Sequence, residues 1–182
     1  MKTIIIGLGN PILSDDSVGI KVSRELRDCL SSYDGIDVAE AYAGGIRLMD
    51  VMVGYEKAII VDAMVTGNGL PGTINSLAIS DLISTRNIVS THDTNLATAL
   101  EMGKMLGLHL PSEIEIWGIE ALDVETFSEE LTEDVAKAVP IVVEEILHKL
   151  GITNEELRMK EDNQELQITN KSVLFFSGIR NS

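Results

Sequence analysis

Two short stretches, residues 3–7 (Thr-Ile-Ile-Ile-Gly) and 57–63 (Lys-Ala-Ile-Ile-Val-Asp-Ala), are apolar at successive rather than alternate positions. A strand with one wet face alternates; an unbroken apolar run is what a strand buried on both faces requires. After the first run, Leu8-Gly9-Asn10-Pro11 is a turn cluster. Val18, Val22, Leu26 and Leu30 then recur every fourth residue, which is one face of an amphipathic helix.

The alternation continues. Ile36–Ala41 reads as a second strand, and a short helix follows Gly44-Gly45 through Leu48, Val51 and Met52. Turn residues over 64–71 lead to a further strand over 73–79, expected at a sheet edge. Residues 94–107 have helical spacing at Leu96, Leu100 and Gly103, and Glu113–Ile119 reads as a strand. Thr132 is the expected N-cap of a last helix, with Glu133 and Asp134 in its favourable first turn. That helix runs through Val135, Val139, Val142, Ile146 and Leu150 to a stop at Gly151, with a kink expected at Pro140. Strand–helix alternation predicts an α/β fold with a mainly parallel sheet of about five strands, covered on both faces.

With one Trp, three Tyr and three Phe in 182 residues, the core must be built mostly from aliphatic side chains. The character changes after Gly151, where the chain turns polar until Val173-Leu174-Phe175-Phe176. The expected division is a body over 1–151 and a C-terminal extension over 152–182, mobile or docked. The formal net charge is -15, nearly all of it in the body. Phosphate backbones repel such a surface, which argues against nucleic acid as a partner. The single cysteine, Cys29, rules out an internal disulfide and fits a reducing compartment. It falls on the apolar side of its helix, where a buried thiol is expected. No apolar run has the roughly 18 residues of a membrane span, and the first run is too short for a signal peptide. A cytoplasmic location is the expectation.

In an open parallel sheet, ligands bind beyond the carboxyl ends of the strands. The loops there carry Asn10, Asp15 and Asp16 after the first strand and Asp62 at the end of the Ile-Ile-Val strand, while His92 and Asp93 precede the helix at 94. Each has a plainer reading: Asp15 or Asp16 as helix cap, Asp62 as an Asx turn, His92 as a first-turn residue. Together, two carboxylates and an imidazole suit a borderline divalent cation such as zinc or nickel. His109 and His148 read as solvated surface. A dinucleotide site is disfavoured: Gly7-Leu8-Gly9 starts the fingerprint, but Ile12 stands at its third glycine. Glu40 would be the acid at the second strand's end.

The stretch Gly7-Leu8-Gly9-Asn10-Pro11-Ile12-Leu13-Ser14-Asp15-Asp16-Ser17-Val18-Gly19 resembles the opening motif of the nickel-iron hydrogenase maturation endopeptidases. Ala43-Gly44-Gly45, Ile59-Ile60-Val61-Asp62-Ala63, Ser90-Thr91-His92-Asp93 and Trp117-Gly118-Ile119-Glu120 follow in that family's order, with Leu131-Thr132 at the start of its last helix. The resemblance covers residues 3 to about 150. It implies a three-layer α/β/α sandwich and an endopeptidase that removes a C-terminal extension from the precursor of a hydrogenase large subunit after nickel insertion. It carries the family's catalytic and metal-contacting positions to Asp16, Asp62 and His92, with nickel contributed by the precursor and other divalent ions able to substitute. Asp16 stands where some members have Glu, and the glycine loop differs in having Ala43-Gly44-Gly45. A non-catalytic nickel- or precursor-binding maturation factor is the alternative. A peptidyl-tRNA hydrolase shares the Gly-Leu-Gly-Asn-Pro opening but needs a histidine early in the chain, and none occurs before His92.

Overall fold

A computed structural model describes residues 1–78, 96–153 and 156–157. Residue contacts divide the chain into two units, Met1–Glu144 and Glu145–Ser182.

The first unit is built on a five-stranded sheet. Its strands are β1 (Thr3–Leu8), β2 (Ile36–Ala41), β3 (Lys57–Met64), β4 (Ile74–Ala78) and β5 (Glu113–Glu120), in the order β2-β1-β3-β5-β4. The first four in that order run parallel, and β4 joins β5 antiparallel at an edge. The helices are α1 (Val18–Leu30), α2 (Ile46–Met52), α3 (Leu96–Met105) and α4 (Glu133–Lys149), with a 3-10 turn at Ser14–Ser17 leading into α1. This is the expected three-layer α/β arrangement.

The unbroken apolar runs are explained by burial on both sides. β1 and β3 are buried at every residue. Ile4, Ile6, Ala58, Ile60, Ile114 and Ile116 face one way and pack with Leu48, Met49 and Met52 of α2 and Leu96, Ala99 and Leu100 of α3. Thr3, Ile5, Gly7, Ile59 and Val61 take the other face by the period of two, the face against which α1 lies. Each fully buried Ile, Leu or Val contributes about 1.5–3 kcal/mol of transfer free energy.

The approach of α1 to the sheet sets the position of everything at its N-terminal end. A Cβ at Gly19 would lie 2.2 Å from the Val61 carbonyl oxygen and 2.4 Å from that of Leu8. A Cβ at Gly7 would lie 2.1 Å from the Gly19 carbonyl oxygen. Helix and sheet therefore touch backbone to backbone, and the turn preceding α1 is fixed above the ends of β1 and β3.

α4 begins where expected and continues unbroken through Pro140. Thr132 is the N-cap by position, since its carbonyl accepts the Ala136 N–H at 2.9 Å. Its hydroxyl does not bond to the helix; it donates to Asp15 at 2.9 Å. Within the first unit, Val135, Ala138, Val139 and Val142 form the buried stripe of α4.

In the second unit the helix ends at Gly151, as its sequence predicts. Gly151 has φ +75, its N–H donates to the His148 carbonyl, and the Ile152 N–H donates to that of Leu147. This pair of bonds is a Schellman cap. Beyond it, the Thr153 N–H donates to Glu156 Oε2 at 2.9 Å, and the Glu156 N–H donates to Thr153 Oγ1 at 3.3 Å. These are the reciprocal bonds of a capping box, with residues 156 and 157 helical.

Gly19→Ala tests the backbone contact. Alanine is about 1 kcal/mol better than glycine inside a helix, but overlap with two carbonyl oxygens outweighs that gain. A net loss of about 2 kcal/mol is expected, measured as a lower urea midpoint.

Candidate functional site

β1 ends at Leu8, and the chain turns at Gly9, whose φ of +142 lies in a region that L side chains rarely adopt. A Cβ at Gly9 would come within 1.9 Å of the Asp16 carbonyl oxygen, so the turn folds back onto the 3-10 segment. Asn10 closes this loop in two ways. Its backbone N–H donates to Asp16 Oδ2 at 2.8 Å, and its side-chain oxygen accepts the Ile12 N–H at 3.3 Å. Asp16 is half-buried, and among the described residues its Oδ1 accepts no hydrogen bond. One oxygen is thus pinned by a backbone amide, and no described residue bonds the other.

Asp62 stands two residues beyond Ile60 and shares its face of the sheet, the one covered by α2 and α3. It is 2% exposed, and its Oδ1 accepts the Ala63 N–H at 2.9 Å. β3 and the 3-10 turn are in contact, so Asp62 and Asp16 share the carboxyl edge of the sheet. His92, the third expected residue, lies outside the described residues.

Asp15, the neighbour of Asp16, does not cap a helix: neither the 3-10 turn nor α1 has a side-chain cap bond. Its carboxylate is fully buried and bonded to the segment after β5, through the N–H groups of Leu122, Asp123 and Thr132 and the Thr132 hydroxyl. Glu120 does similar work on the loop after β3. It is 3% exposed and accepts the Thr66 N–H at 2.9 Å and the Thr66 hydroxyl. Sequence reasoning did not anticipate these two roles. For Glu120 the available clue was an acid at the end of an apolar strand, the same pattern that picks out Asp62.

Other sequence candidates have different surroundings. Glu40 accepts two bonds from the Arg24 guanidinium at 3.2 and 3.1 Å, one from Arg27 at 3.0 Å and one from the Tyr42 hydroxyl at 2.9 Å. It is the hub of a surface ion cluster. Cys29 is half-buried rather than buried. His109 and His148 are exposed, as expected. A cleft of about 260 Å³ flanks the Asp16 turn, lined by Pro11, Ile12, Ser17, Ile20, Lys21, Arg24 and Glu129.

The fold and this edge can now be set beside known proteins. The family model described as hydrogenase maturation protease matches residues 20–149. The chain belongs to the hydrogenase maturation protease family. It is accordingly a peptidase, a hydrolase. The match spans Asp62 and His92 and starts just after the turn that carries Asp16. The hydrogenase 2 maturation protease of Escherichia coli is 25% identical over 120 residues, covering 65% of this chain and 73% of that protein. The HybD maturation protease of Thermococcus kodakarensis is 27% identical, with a TM-score of 0.67 over 82% of this chain and 99% of that one. The HybD endopeptidase of Escherichia coli superposes with a TM-score of 0.69 at 24% identity, over 82% of this chain and 92% of that one. Among the described residues of this maturation protease, no helix is long and apolar enough to cross a membrane.

The Glu40 cluster gives a pH prediction. Hydrogen bonds from Arg24 chiefly, then from Tyr42 and Arg27, hold the Glu40 carboxyl below its ordinary value, against the opposing pull of burial. A depressed carboxylate contributes stability above its unfolded pKa and loses it as pH falls through the folded one. Both arginines are about half exposed, so screening limits the contribution to about 1 kcal/mol. Glu40→Gln should therefore lower the urea midpoint at neutral pH. The difference from the parent should shrink below the ordinary carboxylate pKa and vanish below the lowered one.

Proposed function

We propose that this protease removes the C-terminal extension from the precursor of a nickel-iron hydrogenase large subunit after nickel has entered it. The observation that carries the reading is the state of Asp16. Its carboxylate sits at the sheet's carboxyl edge beside the end of β3, with one oxygen held by the Asn10 amide and the other bonded by none of the described residues. In this reading Asp16, Asp62 and His92 form one site, and the nickel they meet belongs to the substrate.

The donor set suits that ion. Nickel(II) accepts carboxylate oxygen and imidazole nitrogen, and three protein ligands leave positions for groups of the precursor. Other divalent ions would fit the same donors. A site completed only by a metal-loaded precursor cuts only finished substrates, which is specificity by assembly. The chain's own contribution is to hold two carboxylates at fixed places on a rigid sheet edge, where either can take a proton from attacking water. The metal-loaded precursor is the partner, and the cytoplasm is the compartment, a placement supported by the lone cysteine. The catalytic body is residues 1–151, and residues 152–182 are an extension to it.

The test is mass spectrometry of a nickel-loaded precursor incubated with the protein. Loss of a C-terminal peptide is the expected result. A stable complex of unchanged mass would favour the alternative, a binding factor that does not cut. Asp16→Ala, Asp62→Ala and His92→Ala should each reduce processing by roughly 100-fold or more, with circular dichroism unchanged. Full activity of His92→Ala would remove the imidazole from the site. A chain ending at residue 151 should still process the precursor.

A further inference from the structure

We propose that Asp15 is a positioning residue: its buried carboxylate anchors the turn that aims Asp16, and so sets the geometry of the site without touching substrate. The inference rests on the reading of Asp16 given above. Asp15 Oδ1 accepts the Thr132 N–H at 2.7 Å. Asp15 Oδ2 accepts the N–H groups of Leu122 at 2.9 Å and Asp123 at 3.0 Å, and the Thr132 hydroxyl at 2.9 Å. A buried carboxylate is tolerated only where donors replace its water, and four donors do so here. They come from residues 107 to 117 positions away in the chain. The backbone strengthens the same junction, with Asp15 N–H donating to the Asp123 carbonyl at 2.9 Å and Ser14 Oγ to that of Glu130 at 3.1 Å.

The geometry of the 3-10 turn couples this anchor to Asp16. Three residues per turn place neighbouring side chains about 120° apart. Asp15 therefore points inward to the segment after β5 while Asp16 points away from it, to the Asn10 amide. The turn is only four residues long, Ser14–Ser17, and is fixed from both sides. That segment is tied in turn to the end of β3, because the Ala121 N–H donates to the Met64 carbonyl at 2.9 Å. Asp15 thus links the carrier of Asp16 to the strand that carries Asp62.

Asp15→Asn keeps the volume but replaces one acceptor oxygen with a donor group that faces other donors. The readout is hydrogen exchange at the Asn10 amide, which reports directly on its bond to Asp16, alongside kcat and KM on the nickel-loaded precursor. The expected result is exchange at Asn10 faster by at least about ten-fold, with the amides of Ile5 and Ile59 unchanged. A displacement near 1 Å lowers kcat roughly 10- to 100-fold, while KM stays within about three-fold. Thr132→Val removes a single donor and should move both readouts the same way by less; it decides the matter if Asp15→Asn does not fold. Unchanged Asn10 exchange and kcat overturn the proposal. So does faster exchange spread evenly over β1 and β3, which marks Asp15 as a residue of general stability. If the wild-type protein fails to cut the precursor, the functional reading falls, and exchange at Asn10 still judges the positioning role.

Discussion

The contact between Gly19 and the carbonyl oxygens of Leu8 and Val61 governs the placement of the whole carboxyl edge. Any side chain at position 19 would lift α1 off the sheet and carry the 3-10 turn with it. Because the helix instead rests on the ends of β1 and β3, the turn before it has nowhere to go but over the strand ends. Ser17 joins the turn back on itself through its hydroxyl and the Ser14 carbonyl, at 2.6 Å. The arrangement depends on the absence of a side chain, which is why Gly7, Gly9 and Gly19 have a structural meaning before they have a functional one.

The edge is otherwise organised by buried carboxylates. Asp15, Asp62 and Glu120 are each nearly inaccessible to water; Asp15 and Glu120 accept hydrogen bonds from backbone amides beyond a strand, and Asp62 accepts one from its neighbour Ala63 within β3. Loops of this kind lack a regular ladder in which to satisfy their N–H groups, so side-chain acceptors supply the missing partners. The excess acidity of the body therefore has two parts: a solvated majority, and a few acids that act as internal scaffolding where loops converge. Net charge alone cannot separate them.

The fold was largely legible in the sequence because its signals are strong ones. Unbroken apolar runs located β1 and β3, a four-residue apolar period located α1, and Gly151 marked the end of α4. The exact strand ends were less clear, since Leu8, Met64 and Glu120 continue their strands by hydrogen bonding that composition does not reveal. The antiparallel direction of β4 was also silent, being decided by where the chain re-enters the sheet. At the site, spacing and motif picked out Asp16 and Asp62, and the structure places both at the carboxyl edge. Within the pair Asp15-Asp16, only the family resemblance singled out Asp16; composition and spacing did not separate the two. Two identical side chains in succession differ only in the direction that a 3-10 turn gives them, and direction exists only once the fold is formed.

The hydrogen bond from Asn10 to Asp16 has a consequence for the freedom of the side chain. The amide occupies one of the roughly four lone-pair sites of an ionised carboxylate, so the group is aimed without being used up. A half-buried aspartate otherwise samples several rotamers, and this bond confines it to one. The entropy of ordering the side chain is therefore met when the chain folds, not when something arrives at the edge.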